Sequence, residues 1–134
     1  MCIRDRNTTD FGNLTRRKNA AGGASNSTRG VFAGGQEYHG SSAPNNQTNS
    51  IDFIQIASTG NAIDFGDRTF TGSYSSSASN SVRVVTVGGF TPSYVNTEEF
   101  VTIATTGNAQ DFGDSAVGSA AGAVSDSHGG LGGY

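Results

Sequence analysis

The chain has 134 residues, room for one ordinary domain, and a formal net charge of -3, which gives it no general attraction for nucleic acid or an anionic membrane. Only 34% of residues are hydrophobic and 14% charged, Trp is absent and there are 20 Gly. That excludes a helical, charge-rich domain and favours a β-rich, turn-rich protein of the extracellular or particle-surface kind. No apolar run approaches the length of a transmembrane helix, so no membrane insertion is expected.

Residues 1–6, Met-Cys-Ile-Arg-Asp-Arg, resemble a translated sequencing-adaptor remnant and are expected to be non-native. They hold the one cysteine, Cys2, which cannot form a disulfide within the chain. Residues 7–12 end in Asp10-Phe11-Gly12, which returns 54 residues later as Asp64-Phe65-Gly66. Residues 13–28 are polar and carry a basic cluster, Arg16-Arg17-Lys18; the expectation is a short exposed strand and a solvated turn. Residues 29–35 and 82–89 read as short apolar strands, each stopping at a glycine pair that suits positive φ and close backbone approach.

The strongest signal is the stretch from Phe53 to Asp67, repeated 47 residues later from Phe100 to Asp114, with eleven of fifteen positions identical. It opens with the strongest strands, Ile51–Ala57 and Phe100–Ala104, whose nearly continuous apolarity suggests burial on both faces. Thr-Gly-Asn then supplies a turn. Asp-Phe-Gly-Asp follows, read as an aromatic between two turn-forming carboxylates. The repeat offset is 54 before the glycine pair and 47 after it, so the connections at 36–50 and 90–97 differ in length and belong on the surface. No helical periodicity is present. The units divide as 7–35, the later part of a first copy; 36–89, a second; and 90–134, a third that is shortened near Ser125-Asp-Ser.

A period of this size fits a propeller blade, which cannot bury both faces alone. The pattern of an apolar strand, Gly-Gly and a later aromatic resembles the kelch repeat, in Val84-Val-Thr-Val-Gly-Gly89 and Gly30-Val-Phe-Ala-Gly-Gly35. The Trp of that family is missing; Phe65 and Phe112 are its stand-ins. Residues 51–69, 98–115 and 25–35 also resemble the repeats of marine bacteriophage virion proteins of the tail-fibre type. The resemblance implies an all-β protein of antiparallel, kelch-like propeller blades, located on a virion surface or extracellularly. It also implies a non-enzymatic role in host attachment, with a host-surface polysaccharide or protein, other virion proteins, or further copies as partners. About two and a half repeats are present, while a closed propeller uses roughly 4–8 blades, so a fragment of a longer protein is expected.

Chemistry-bearing patterns are weak. Asp-Phe-Gly-Asp offers two carboxylates per loop, too few for a dedicated calcium site. His39 and His128 lack partners at metal-ligand spacing, and neither a nucleophile elbow nor a phosphate-cradling glycine loop is present. No catalytic residue, metal or cofactor is expected. Candidate ligand-binding residues are the aromatics and histidine that follow the glycine pairs: Tyr38, His39, Phe90 and Tyr94. The alternatives are a purely structural fibre or spacer, and a fragment of a secreted propeller enzyme or lectin.

Overall fold

The computed structural model of the chain describes residues 8–38, 46–118 and 122–125. All regular structure among them is β. The strands are β1 (Lys18–Asn19), β2 (Gly22–Ser25), β3 (Arg29–Ala33), β4 (Gln36–Glu37), β5 (Asn46–Gln47) and β6 (Ser50–Gln55). They are followed by β7 (Ile63–Asp67), β8 (Ser76–Ser79), β9 (Arg83–Phe90), β10 (Tyr94–Thr102) and β11 (Gln110–Asp114). Three antiparallel sheets result: two four-stranded meanders, β2-β3-β6-β7 and β8-β9-β10-β11, and a small sheet ordered β1-β4-β5.

The two meanders are the sequence repeat made structural. Asn26 and Asn80, 54 residues apart, each close the first turn of a meander. Their side-chain oxygens accept the backbone N–H groups of Thr28 and Arg29, and of Val82 and Arg83, at 2.8–2.9 Å. This is the self-bonding that makes Asn a turn former. The last pairing keeps its register after the offset changes to 47: Ser50 faces Asp67 as Thr97 faces Asp114, and both ladders carry an irregularity at the same step. The division at 35/36 falls between the second and third strands of the first meander, and that at 89/90 falls just before the last residue of β9.

The meanders pack face to face. Val31, Ala33, Phe53 and Phe65 of the first sheet meet Val84 and Val101 of the second, together with Ile103 just beyond it, and Ile51 completes the buried cluster. Each Val, Ile or Phe among them contributes about 1.5–3 kcal/mol on leaving water. At one edge the sheets come very close, because the strands there are built of small residues: Ser79 Oγ donates to Ser25 O at 2.5 Å, and a Cβ on Gly22 would lie 2.6 Å from Ser77 Oγ. Arg29 spans the interface further out, its Nη1 donating to Ile103 O at 2.6 Å while its guanidinium sits 4.6 Å over the Phe53 ring.

Asp-Phe-Gly-Asp is not a turn. It forms the edge strands β7 and β11, with Phe65 buried and the carboxylates exposed. The outer edge of the sheet leaves those carboxylates in water, and positive φ at Gly66 and Gly113 (145° and 148°) accommodates the irregular ladder. The connection expected at 90–97 is also shorter than the sequence suggested: β9 runs to Phe90 and β10 starts at Tyr94, since a three-residue turn closes this hairpin. The basic cluster is only partly solvated, because the Lys18 side chain is fully buried beside Asp52.

Candidate functional site

The glycine pairs begin the most elaborate end of the molecule. Gly34 and Gly35 (φ 65° and 112°) correspond to Gly88 and Gly89 (φ 60° and 132°), all in the region glycine enters without strain. Space is as important as torsion here. A Cβ on Gly34 would lie 2.7 Å from both Arg68 Nη1 and Gly72 O, and one on Gly89 would lie 2.6 Å from Ser75 Oγ.

Arg68 fills the room so left. Its Nη1 donates to Ser75 Oγ at 2.6 Å and its Nη2 to Gly88 O at 3.4 Å. Its Nε pairs with Glu99 Oε1, and the other carboxylate oxygen accepts the Thr69 N–H and hydroxyl at 2.8 and 2.6 Å. The Phe70 ring lies 4.2 Å from the guanidinium. The buried arginine therefore joins the segment between the sheets to β10, and it does so through a bonded, paired charge.

Beyond this joint stand two hairpins. The longer carries β4 and β5; the shorter is the turn between β9 and β10. Gln47 ties them together, its Nε2 donating to Phe90 O at 2.7 Å and to Ser73 Oγ at 3.2 Å. The backbone Tyr38 N–H donates to Arg17 O at 2.8 Å, and the Arg17 guanidinium lies 4.5 Å from the Tyr38 ring. Phe90 and Tyr94 form an edge-to-face pair with centroids 5.3 Å apart. Phe90 is half-buried, whereas Tyr38 and Tyr94 are exposed, Tyr94 at 59%. His39 lies outside the described residues, as does His128.

Of the four sequence candidates, then, Tyr38 and Tyr94 offer faces to solvent on hairpins that Gln47 links, and Phe90 supports Tyr94. Arg17 and Gln47 were not singled out by the sequence reading. Arg17 was in plain view as part of the basic cluster; nothing in the local pattern around Gln47 announces its bridging role.

The arrangement can stack flat apolar or sugar surfaces on aromatic faces and donate hydrogen bonds from a neighbouring guanidinium. Among the described residues no three His, Cys, Asp or Glu side chains converge on a position that would hold a metal ion. No protein-family model matches the chain, and no curated protein matches it significantly.

Proposed function

We propose that the chain is a non-enzymatic, tail-fibre-like repeat module of a phage virion surface, which recognises the host surface through hairpins carried on kelch-like propeller blades. The observation that carries the reading is the linked pair of hairpins at the glycine-pair end, rigidly based on Arg68 and presenting Tyr38 and Tyr94 outward. Binding residues are commonly borne on loops held by a stiff scaffold, and aromatic residues dominate such contacts. A blade-like arrangement is supported by the taper between the sheets: small residues where β2 meets β8, large ones such as Phe53, Phe65 and Ile103 further out. Such a taper turns each sheet relative to the last, as ring closure requires. The loops would then act by many weak contacts multiplied over copies.

The test is binding of the full chain to intact marine bacterial cells and to their isolated surface polysaccharide. Tyr94→Ala and Tyr38→Ala should each weaken binding by at least about fivefold, the effect of losing a contact worth about 1 kcal/mol. Val82→Ala, at an exposed position in the turn between β8 and β9, at the other end of β9 from its glycine pair, should leave it unchanged. Absence of binding by the native chain would instead favour a purely structural fibre or spacer, a reading that the repeated sheet-to-sheet contacts also suit.

A further inference from the structure

A contact that recurs along the chain remains unmade at its last described strand. The Thr-Gly-Asn-Ala loop of each meander docks on the Asp-Phe-Gly segment of the unit before it. In the first instance Gly60 N–H donates to Phe11 O and Ala62 N–H to Asn13 O, both at 2.8 Å, while Asn61 Oδ1 accepts the Asn13 N–H at 3.0 Å. In the second, Gly107 N–H donates to Phe65 O at 2.7 Å, Ala109 N–H to Asp67 O at 2.8 Å, and Asn108 Oδ1 accepts the Asp67 N–H at 3.1 Å. The glycine of each segment is what permits the approach, since a Cβ on Gly12 or Gly66 would run into the carbonyl of Gly60 or Gly107.

β11 repeats the receiving strand letter for letter as Asp111-Phe-Gly-Asp114, in the same register on its neighbour and with the same glycine torsion. Among the described residues nothing lies within 4 Å of a Cβ built on Gly113. Phe112 is 54% exposed where Phe65 is 2% exposed. The uncovered face continues over β9: a groove of about 580 Å³ is lined by Ala78, Arg83, Val85, Val87 and Phe112. Shifted by the repeat offset, these are Ala24, Arg29, Val31, Ala33 and Phe65, the residues that the second meander covers in the first. Residues 122–125 line one side of the groove without filling it; Val124 is 95% exposed.

We infer that β11 and the adjoining face of β9 are a docking site for a second copy of this chain. That copy would insert its Gly60–Ala62 loop and lay the outward face of its β2-β3-β6-β7 sheet, bearing Phe32 and Ile54, on the groove. Phe112 O and Asp114 O accept the Gly60 and Ala62 N–H groups, and the Asp114 N–H meets the Asn61 side chain. The incoming copy gives up its own contact with residues 11–13, and residues 122–125, along one side of the groove, move aside for it. Such a head-to-tail contact is heterologous, and it propagates into a ring or a filament according to the rotation per step. The inference stands on the repeated contact and is independent of host recognition.

Sedimentation of the full chain over a concentration series tests it, with hydrogen exchange at the Asp114 amide as the local readout. Gly12→Val undocks residues 11–13 and frees the loop. It should strengthen self-association at least about tenfold, the factor by which a competent state populated at about one part in ten weakens binding. Asp114 should become protected as the chain associates. Val87→Lys places a charge in the groove and should abolish both effects, in the wild type and in the Gly12→Val background. The inference is overturned if Gly12→Val stays monomeric with intact sheets, if association persists unchanged in Val87→Lys, or if the Asp114 amide is already protected in the monomer. Should Gly12→Val not fold, the wild-type series with and without Val87→Lys decides: concentration-dependent Asp114 protection lost in the variant supports the site, and its absence removes it.

Discussion

Lys18 Nζ lies 3.2 Å from Asp52 Oδ2, with neither side chain exposed. Asp52 and Glu99 occupy the same position of the repeat, and each is met by a base from the segment that enters its sheet, Lys18 in one case and Arg68 in the other. Thr15 and Thr69, which also correspond, donate their hydroxyls to these carboxylates at 2.5 and 2.6 Å. Both sheets are thus entered through a buried, hydrogen-bonded acid. The two bases differ in quality: the Lys18 ammonium donates to Ser50 O and Oγ at 3.2 and 3.3 Å and meets Asp52 mainly through charge, while Arg68 is held from several sides.

Burial pushes the Lys18 ammonium below its usual 10.5, and the attraction of Asp52 opposes the shift without reversing it. Between that lowered value and 10.5 the unfolded chain therefore binds more protons than the folded one, and stability rises with pH over the window. Measured as the difference in urea midpoint between the wild type and Lys18→Met, the advantage of the wild type should grow from neutral pH toward 10.5 and then level off. A flat or falling difference would sink the assignment.

Arg68→Met strands Glu99 in the interface without its cation. Chemical denaturation should show a loss of about 3–5 kcal/mol, the usual result of breaking one side of a buried pair. The double variant Arg68→Met/Glu99→Met should recover most of that loss, because the desolvated charge is gone. A double variant no better than the single one would show that the guanidinium acts through Ser75 and the glycine carbonyls rather than through Glu99.

Phe65 and Phe112 are the same residue of the repeat in two environments. Each forms an edge-to-face pair, with Phe53 at 5.8 Å and with Phe100 at 6.0 Å. Phe65→Ala should cost about 3–5 kcal/mol as a large-to-small core change. Phe112→Ala in the monomer should cost less than about 1 kcal/mol, as expected of a half-exposed side chain. Equal losses, read from thermal or denaturant unfolding, would contradict the difference in burial.

Gly66→Ala strains a residue at φ 145° and drives a methyl into the Gly107 carbonyl, so a cost of about 1–3 kcal/mol or more is expected. Gly60→Ala, where a Cβ meets nothing within 4 Å, should fall within about 0.5 kcal/mol of the wild type. Stability of the paired variants checks both values.

The all-β character was legible because the repeat, the glycine pairs and the Asn-rich turns impose local geometry. β3 stops before Gly34 as expected, whereas β9 carries its glycine pair inside the strand and runs on to Phe90 across an irregularity in its ladder to β10. Asp-Phe-Gly-Asp was misread because Asp and Gly are turn formers in isolation, and its strand character comes from a ladder to β6 or β10 that no local pattern announces. Lys18 likewise looked solvated, since its burial depends on an acid 34 residues away. The Asp inside an otherwise apolar Ser-Ile-Asp-Phe-Ile run, and the Glu in Thr-Glu-Glu-Phe-Val, were the visible hints of those pairs. The exposed aromatics were traceable to their hairpins, yet their grouping through Gln47 was not.

The near-identity of the two fifteen-residue stretches has a genetic consequence. Each covers the last three residues of the third strand and all of the fourth strand of a meander, with the docking loop between them. A crossover between the two coding copies would delete or add 47 residues, one full sheet with its linker, buried acid and docking loop, and would interrupt no strand. Chains related by such events should differ in length by whole sheets, each increment bringing its own interface with it.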